Sequence, residues 1–556
     1  MTREFNLIDE PWIACTIGEE TRELSLRELS GNLGSIRRLA GESPTQDYAV
    51  LRVILVIFWR AHRKDEDLTG PGRQLEDWWL DMLEAAGSED PAGLAKLSEP
   101  MLAYLEEHRD RFDLLHPVTP FMQVADLHTT KDEHGPIRRL IPDAESDYFT
   151  QRAGEQLESL SFAEAARYLV ALQAWDYSGI KSGAIGDPRV KGGRGYPIGT
   201  GWTGRTGGVV LHGKNLAETL ILNTAAASVF TERMEADLPV WEQTAQTAAP
   251  RGVETPTGPC DVLTWQIRRV RLFHEGERVT GALVSNGDRI ELQNQFADPM
   301  TGYRWSKNQS SKTTVVHMPG AHSQERTLWR GLTALLVREG VVTPRKGEHL
   351  PLQPKTIEAL HQFAEHYHEE LNRRQVGLEL VGMIYGTNDA VVVHTVQEEI
   401  PLRLGVLLDR SPRSAELIVS SAEATAQAAV HLGQFAGMLE LATGGDYAFQ
   451  KHTADGALQE LAEEFRRWLE EITPDTDYGA ARDRWFQSVE TAVLRHAGIL
   501  LRGAGPRALT GRIDADGRLT TAATAMSILR AQLRKALPRT DAATRTQDPA
   551  QIGATA

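Results

Sequence analysis

The 556-residue sequence has few cysteines and no long apolar run, and both absences limit what the protein can be. Its two cysteines, Cys15 and Cys260, lie far apart, so neither a disulfide framework nor a Cys-x-x-Cys metal site is possible. This pattern is typical of a reducing cytoplasm. The longest apolar run is the seven residues 53–59, whereas a membrane span needs ~18–20. We therefore expect a cytoplasmic protein without a membrane segment.

Positive charge is also in short supply. The sequence has 60 basic residues against 76 acidic ones, which gives a formal net charge of −16. We do not expect such a chain to coat nucleic acid non-specifically, because duplex binding depends on neutralising the phosphate charges. The sequence also lacks a nucleophile motif, a Walker loop and a carboxylate pair at a spacing typical of acid–base catalysis. We therefore expect no enzymatic activity and no cofactor.

The first part of the chain mixes predicted helices and strands. Pro44 opens an apolar helix that ends near residue 63, and Ser161 with Glu164 forms the capping box of a second helix. A short strand is expected over residues 5–13. Asn286–Gly287 is typical of a hairpin turn between two strands.

The pattern becomes helical near residue 405. Four helices are predicted over residues 411–443, 457–472, 478–501 and 520–537, and their short links favour an antiparallel bundle. The predicted fold class is therefore α+β. It comprises a large mixed domain of residues 1–404, an all-α four-helix bundle of residues 405–538 and a disordered tail of residues 539–556.

One segment is unusually rich in glycine. Residues 181–214 contain 11 glycines and six basic residues against a single acid, Asp187, a local net charge of +5. One interpretation is a flexible surface loop. The other is a backbone that approaches another backbone closely, for which glycine is suited, with a phosphodiester as the partner that the flanking cations favour.

Two further segments have both a structural and a functional interpretation. Residues 361–370 carry three histidines and three glutamates, which indicates either a solvated helix face or the site of a metal-dependent hydrolase; the spacing matches no known zinc motif. Residues 495–539 carry nine basic residues, opposed within the segment by Asp514 and Asp516. This region is either a solvated helix face or a contact for a nucleic-acid backbone or an acidic partner protein.

Several segments, in order along the chain, resemble CasA proteins, the large subunit of the type I-E CRISPR Cascade complex. The resemblance lies in Phe-Asn-Leu-Ile-Asp-Glu-Pro-Trp-Ile at residues 5–13, Thr-Pro-Phe-Met-Gln at residues 119–123 and Phe-Thr-Gln at residues 149–151. It continues with the glycine-rich loop and the strand and helix after it at residues 191–223, Leu-Thr-Trp-Gln at residues 263–266 and Tyr-Gly-Thr-Asn-Asp-Ala at residues 385–390. It extends to about residue 537, and the mixed body followed by a helical bundle also fits this family.

The resemblance implies a non-catalytic subunit of an RNA-guided complex. CasA proteins recognise the protospacer-adjacent motif in double-stranded DNA, begin strand separation and R-loop formation, and help to hold the displaced strand. The implied partners are CasB, CasC, CasD and CasE, the guide crRNA, target DNA and a helicase-nuclease recruited in trans for antiviral defence. Guide pairing supplies sequence specificity in such complexes, so the protein itself needs only a short motif and the shape of the DNA.

The resemblance also assigns candidate site residues. The DNA-contacting glycine loop falls on Lys191, Gly192, Gly193, Arg194 and Gly195, the groove-reading and wedge tip on Asn388, Asp389 and Ala390, and the guide-side anchoring loop on Phe149, Thr150 and Gln151. In the bundle, Arg530 and Arg534 share a helix face and are candidates for contact with the displaced strand.

Two positions depart from the family pattern. Asp389 stands where a glutamine is expected, and phosphates would repel its carboxylate, so the wedge is Thr387 or Asn388, or the tip acts through its bulk. The lysine that reads the groove has no clear counterpart; Arg289 is the first choice, with Lys307 and Lys312 as rivals. A scaffold that binds RNA without touching DNA remains an alternative, as does the hydrolase. No zinc is expected.

Overall fold

The computed structural model describes most of the chain. The described residues are 4–68, 74–88, 90–141, 152, 154–320, 329, 332, 335–336, 347–362, 373–408, 413–513, 517 and 519–539. Contacts divide the chain into two compact units: Met1–Gln324, Gly347–Glu365 and Val376–Glu399 form the first, and Glu325–Lys346, His366–Gln375 and Ile400–Ala556 form the second.

The first unit mixes helices and strands. Its helices are α1 (Leu26–Gly31), α2 (Pro44–His62), α3 (Leu75–Gly87), α4 (Pro91–Glu107), α5 (Phe162–Trp175), α6 (Trp202–Thr206), α7 (Leu216–Leu222), α8 (Ala226–Val229), α9 (Pro259–Leu263) and α10 (Lys355–Gln362). Its strands are β1 (Ile13–Ile17), β2 (Glu20–Leu24), β3 (Ile36–Leu39), β4 (Gly135–Pro136), β5 (Leu160–Ser161), β6 (Lys181–Ser182), β7 (Arg194–Gly195), β8 (Gly208–His212), β9 (Arg268–Glu275), β10 (Arg278–Asn286), β11 (Tyr303–Trp305), β12 (His317–Pro319), β13 (Gln375–Tyr385) and β14 (Val392–Arg403).

Helix α2 forms the centre of this unit. The Ser43 side chain accepts a hydrogen bond from the Gln46 amide, and Pro44 starts the helix with a residue whose missing N–H costs nothing there. Nearly every later side chain of α2 is buried, and the helix packs against α4 and α5. Two of its large buried polar side chains are paired: the Trp59 indole donates to Thr224, and Arg60 forms an ion pair with Glu242. A helix buried on all sides is what its continuous apolar sequence predicts.

Three small sheets surround these helices. Strand β1 pairs with β2 and β3, β10 pairs with β4, β5 and β9, and β13 pairs with β8 and β14. Two separate hairpins, β6–β7 and β11–β12, complete the described strands of this unit. The β8–β13 and β6–β7 pairs are antiparallel, so the glycine-rich sequence lies in ordered strands at both of its ends.

The second unit is largely helical where it is described. It contains α11 (Leu404–Leu408), α12 (Arg413–Ala442), α13 (Lys451–Glu471), α14 (Tyr478–Gly503), α15 (Arg507–Thr510), α16 (Ala522–Ala536) and the hairpin of β15 (Arg512–Ile513) and β16 (Leu519–Thr520). Helix α12 packs against α13, α14 and α16. Trp329, Phe465, Trp468 and Trp485 form an aromatic cluster in its core, with the Trp329 and Phe465 ring centroids 4.6 Å apart.

The predicted helices agree with the structure better than the predicted turns. The helix from Pro44, the capping box of Ser161 and Glu164 and the long C-terminal helices are confirmed. The strand expected over residues 5–13 is wrong, because the first strand begins at Ile13. The hairpin turn lies at Gly276 (φ +58°), between β9 and β10, and not at Asn286–Gly287, since Asn286 is the last residue of β10 and pairs with Arg268.

Candidate nucleic-acid interface

The glycine-rich segment begins as an ordered hairpin. In this glycine hairpin, residues 181–195, Lys181 pairs with Gly195 and Ser182 with Arg194. The Gly183 amide donates to the Gly193 carbonyl at 3.0 Å, which extends the pairing toward the tip. This backbone pairing favours an ordered hairpin over a flexible loop for these residues.

A tight turn within the glycine hairpin, residues 191–194, is called the tip here and requires glycine for backbone reasons. Lys191 and Arg194 exchange two backbone hydrogen bonds of 3.1 Å around Gly192 (φ +58°) and Gly193 (φ +72°). Two positive φ values in a two-residue loop are typical of a type I′ turn, whose twist suits a hairpin. A Cβ at either glycine would meet no atom within 4 Å, so the tip projects into open space.

Gly195 is glycine for a different reason. It is buried, and a Cβ there would lie 2.9 Å from the Asn286 side-chain amide. That amide donates to the Tyr196 carbonyl at 2.6 Å. The base of the glycine hairpin is thus packed against the end of β10, whereas residues 191–194 at the tip are all exposed.

Most of the positive charge in this segment is neutralised. Four of its six basic side chains form ion pairs: Lys181 with Asp176, Arg189 with Asp187, Arg205 with Asp389, and Lys214 with Glu218. Lys191 and Arg194 are exposed and form no ion pair with any described residue. The local charge of +5 therefore overstates the free charge, because three of the neutralising carboxylates lie outside the segment. The free cations sit at the hairpin tip.

A buried group of charges underlies the glycine hairpin. The side chains of Asp176, Lys181 and Arg268 are 2%, 1% and 0% exposed, and the Lys181 Nζ lies 2.8 Å from an Asp176 oxygen. Burial lowers the pKa of Lys181 to about 8, although Asp176 opposes the shift. Burial alone would raise the pKa of Asp176, but the Lys181 and Arg268 cations hold it below its usual value.

The proposed wedge tip is a second exposed turn. Asn388 (φ +58°) and Asp389 (φ +54°) occupy its two central positions, and the Ala390 amide donates to the Thr387 carbonyl at 3.2 Å. This reverse turn, residues 387–390, has the same type I′ geometry as the hairpin tip, and Asn and Asp tolerate that backbone conformation better than other side chains. Thr387, Asn388 and Ala390 are exposed.

Asp389 is ion-paired rather than free, and the expectation that phosphates would repel its carboxylate stays a prediction. An Asp389 oxygen lies 2.7 Å from an Arg205 nitrogen, and the side chain is 33% exposed. The Asp389 carbonyl accepts a hydrogen bond of 2.7 Å from the Ser178 amide. The carboxylate thus links the reverse turn to α6, and the carbonyl links it to the chain that leads into the glycine hairpin. The Asn388 amide is exposed in this turn.

The three candidates for the groove-reading cation are all exposed. Arg289 follows Asp288, a buried carboxylate that binds Arg251 and Arg269. Lys307 and Lys312 lie in the loop between β11 and β12, which Ser310 closes through hydrogen bonds with Trp305, Ser306 and Val316. None of the three forms an ion pair within the described chain. Each of the three therefore presents an exposed cation suited to this role.

In the second unit, Arg530 and Arg534 lie on the exposed side of α16. Both are exposed, while Leu529 and Leu533 beside them are buried, and neither arginine pairs with a described carboxylate. Other cations of residues 495–539 pair with acids that precede this region in the sequence: Arg495 with Glu460, Arg512 with Asp446 and Arg539 with Glu490.

Two predicted sites lie outside the described residues. They are the anchoring loop of Phe149, Thr150 and Gln151, and nearly all of the histidine-rich segment 361–370. Elsewhere in the described chain, no three His, Cys, Asp or Glu residues are grouped as a metal site would require. Across the same residues, no helix has both the length and the apolarity needed to cross a membrane.

Sequence reasoning missed Asp176, Ser178 and Arg205, which support the two exposed tips. Asp176 caps the end of α5, Ser178 binds the reverse turn and Arg205 lies in α6. No local motif identifies them, because Arg268 and Asp389, which they contact, are distant in sequence.

Comparison with known protein families identifies the class to which this protein belongs. A family model described as CRISPR-associated protein Cse1 matches residues 6–496. The chain is therefore a CRISPR-associated protein, and it belongs to the Cse1 family, whose members are also called CasA.

Individual relatives agree with that assignment. CasA/Cse1 of Thermus thermophilus is 28% identical over 445 residues, which cover 78% of this chain and 77% of the relative. The crystal structure of Thermobifida fusca Cse1 is 35% identical, with a TM-score of 0.83 over 96% of this chain and 98% of that one. A chain from a CRISPR RNA-guided surveillance complex has the same fold, with a TM-score of 0.66 at 19% identity over 90% of this chain and 99% of that one.

Proposed function

We propose that the protein is the non-catalytic large subunit of a CRISPR surveillance complex of the Cascade type and recognises the protospacer-adjacent motif in duplex DNA. The observation that carries this proposal is the pair of exposed type I′ turns in the first unit. One presents the free cations Lys191 and Arg194 on a bare glycine backbone, and the other presents the Asn388 amide. Membership of the Cse1 family and the fold shared with a surveillance-complex chain support it.

The chemistry of the two turns suits different parts of a duplex. Free cations next to a backbone without side chains can approach phosphates closely. An amide offers both a donor and an acceptor, which the edges of bases in the minor groove require. In this proposal the glycine hairpin holds the DNA backbone and Asn388 contacts the motif, after which strand separation and R-loop formation begin.

The other parts of the proposal rest on the family. The guide-side anchoring loop at Phe149–Gln151 and the partners CasB to CasE, the crRNA and a helicase-nuclease remain predictions. So do the division into residues 1–404 and 405–538 and the action of the long C-terminal helices as one four-helix bundle. The exposed Arg530 and Arg534 supply positive charge for the displaced strand in that bundle.

The test is a binding series over variant adjacent motifs in the assembled complex, at fixed salt and with a fully matched guide. Asn388→Gly removes the amide but keeps the positive φ that the turn needs. We expect a loss of roughly 5- to 150-fold for the correct motif, from a contact of about 1–3 kcal/mol, and a much smaller loss for wrong motifs.

The matched control is Asp132→Gly, at another exposed non-glycine position with φ +53°. It should leave all motifs unchanged. An equal loss for every motif with Asn388→Gly would mean that the reverse turn positions DNA without reading it. If the glycine-hairpin variants described below also leave DNA binding unchanged, the protein is an RNA-binding scaffold instead.

A further inference from the structure

The two exposed turns are joined through a buried ion cluster. This ion cluster consists of Asp176, Lys181 and Arg268. Lys181 is the first residue of the glycine hairpin, and Arg268 donates to the Gly199 carbonyl at 2.8 Å, beyond the far end of the hairpin. The Asp176 carbonyl accepts from the Gly201 amide at 2.9 Å. The start of the glycine hairpin and the chain just beyond its end are thus both held at Asp176 and its partner Arg268.

The reverse turn is attached to the same stretch of chain. The Ser178 amide, two residues after Asp176, donates to the Asp389 carbonyl at 2.7 Å. The Tyr385 hydroxyl, just before the turn, donates to the Trp175 carbonyl at 2.5 Å. Residues 175–178 therefore lie between the glycine hairpin and the reverse turn and contact both.

The ion cluster is better suited to fixing the position of the chain around it than to stabilising the fold. Its three side chains are at most 2% exposed, so their charges must be satisfied by one another and by nearby dipoles. Arg268 donates to the Tyr177 and Gly199 carbonyls, and Lys181 lies 3.7 Å from the Tyr177 ring centroid. Arg139 contacts the same ring, and Arg205 and Asp389 pair nearby. Each bond has a direction, so small displacements of the chain are costly.

We propose that Asp176 is the positioning residue of the DNA-facing surface. Its carboxylate, with Lys181 and Arg268, holds the glycine hairpin at a set position relative to the reverse turn, so that phosphate contact and motif contact occur on one duplex. The expected effect on DNA binding rests on the proposed function, but the positioning of the glycine hairpin can be measured without DNA.

The first variant is Lys181→Met. It leaves Asp176 paired with Arg268, so no buried charge is stranded, and it removes the link to β6 alone. We expect amide hydrogen exchange of Gly183, Lys191 and Arg194 to become at least tenfold faster in the assembled complex. The Gly386 and Ala390 amides of the reverse turn should keep their rates. Lys181→Arg retains the charge and should restore much of the protection.

The second variant is Asp176→Asn, which removes the carboxylate that Lys181 and Arg268 share. Residues 175–178 should then loosen, and with them the reverse turn that their backbone groups bind. We expect faster exchange in both the glycine hairpin and the reverse turn, whereas amides of the second unit keep their rates. Lys214→Met is the matched control: this lysine lies in the same glycine-rich segment, but it is 59% exposed and pairs with Glu218 instead. It should change neither segment.

Dissociation of a matched duplex is measured on the same complexes. Lys181→Met should shorten the lifetime of the DNA complex at least fivefold. If exchange in the hairpin and the turn is unchanged in both variants, or rises uniformly across the protein, the positioning role is refuted. A double variant of the tip, Lys191→Gln with Arg194→Gln, separates the two proposals: if it leaves DNA binding unchanged the proposed function fails, whatever the exchange shows.

Discussion

At the scale of single residues, Gly193 shows how backbone geometry and charge can be tested apart. It occupies a positive-φ position with open space around it, so asparagine and aspartate both fit there at a cost of about 1 kcal/mol. Gly193→Asp also places a carboxylate between Lys191 and Arg194. We expect it to weaken binding of matched duplex by the assembled complex roughly 5- to 100-fold, through a charge interaction of about 1–3 kcal/mol.

The control is Gly193→Asn, which has the same shape without the charge. Dissociation constants measured at one low salt concentration should place it within about threefold of wild type. An equal loss for both variants would show that the tip matters for its shape and not for its contact with phosphate.

Asp47 is a residue whose ionisation opposes folding. It lines a cleft with Tyr48, His212 and Glu379, and the Gly41 amide donates to its carboxylate at 2.7 Å. Burial raises the pKa of Asp47 from 3.8 to about 7. The folded state therefore holds this proton more tightly than the unfolded state, so the contribution to stability is present at low pH and is lost as pH rises toward 7.

Asp47→Asn should remove this pH dependence. Relative to wild type, the variant should gain about 1–3 kcal/mol in free energy of unfolding between pH 4 and pH 8, because the amide still accepts the Gly41 hydrogen bond. Denaturant titrations at both pH values measure the gain. Asp81→Asn, at an exposed position in α3, should show none. A gain that is the same at both pH values would refute the explanation.

At the scale of elements, α16 tests whether a basic helix face contacts nucleic acid. Arg530→Glu with Arg534→Glu reverses two exposed charges that are one turn apart and leaves the buried leucines in place. We expect a shorter lifetime of the opened DNA complex and a salt dependence reduced by roughly 0.7–0.9 for each phosphate contact that is lost. First encounter with duplex should change less.

The measurement is the lifetime of the opened complex over a series of salt concentrations. Arg484→Glu, an exposed arginine on α14, is the matched control. If the double variant behaves like this control, the α16 face is simply solvated.

Turns were harder to predict than helices because several sequences have turn chemistry. Asn286–Gly287 has the right residues, but the buried Asn286 completes β10 and binds the Tyr196 carbonyl. The tips at Gly192–Gly193 and Asn388–Asp389 follow the same rule and do form type I′ turns. Turn residues show where a turn is possible, and the pairing of the flanking strands decides which one forms.

At the scale of the whole molecule, a net charge of −16 predicts that the protein alone binds DNA weakly. The free cations at the glycine-hairpin tip and on α16 are few, so long-range attraction to a duplex is small. We expect the isolated protein to bind duplexes with correct and wrong adjacent motifs equally and to cut neither. In the complete guide-RNA complex, the correct motif should bind at least tenfold more tightly.

Binding titrations of the isolated protein, the complete complex and the complex without this protein compare these cases. If the isolated protein discriminates between correct and wrong motifs as well as the complete complex does, the other components are not required for motif recognition. Cleavage of DNA by the pure protein with added Mg²⁺ would contradict a non-catalytic subunit.

The sequence by itself determined the helices and the family. Apolar periodicity and capping residues are local, so Pro44–His62, the capping box at Ser161 and the long C-terminal helices could be predicted without tertiary information. The ordered series of short motifs led to the Cse1 family, which the family model confirms. The candidate tips at Gly192–Gly193 and Asn388–Asp389 followed from the resemblance to that family.

Only the tertiary structure decided which charges remain free and what holds the tips in place. Lys181, Arg205 and Asp389 look equally available in sequence, but Lys181 is buried against Asp176, and Arg205 and Asp389 pair with each other. The physical reason is that an ion pair depends on distance in space. Carboxylates from outside the glycine-rich segment neutralise Lys181, Arg205 and Lys214 within it, and composition along the chain cannot reveal such pairings.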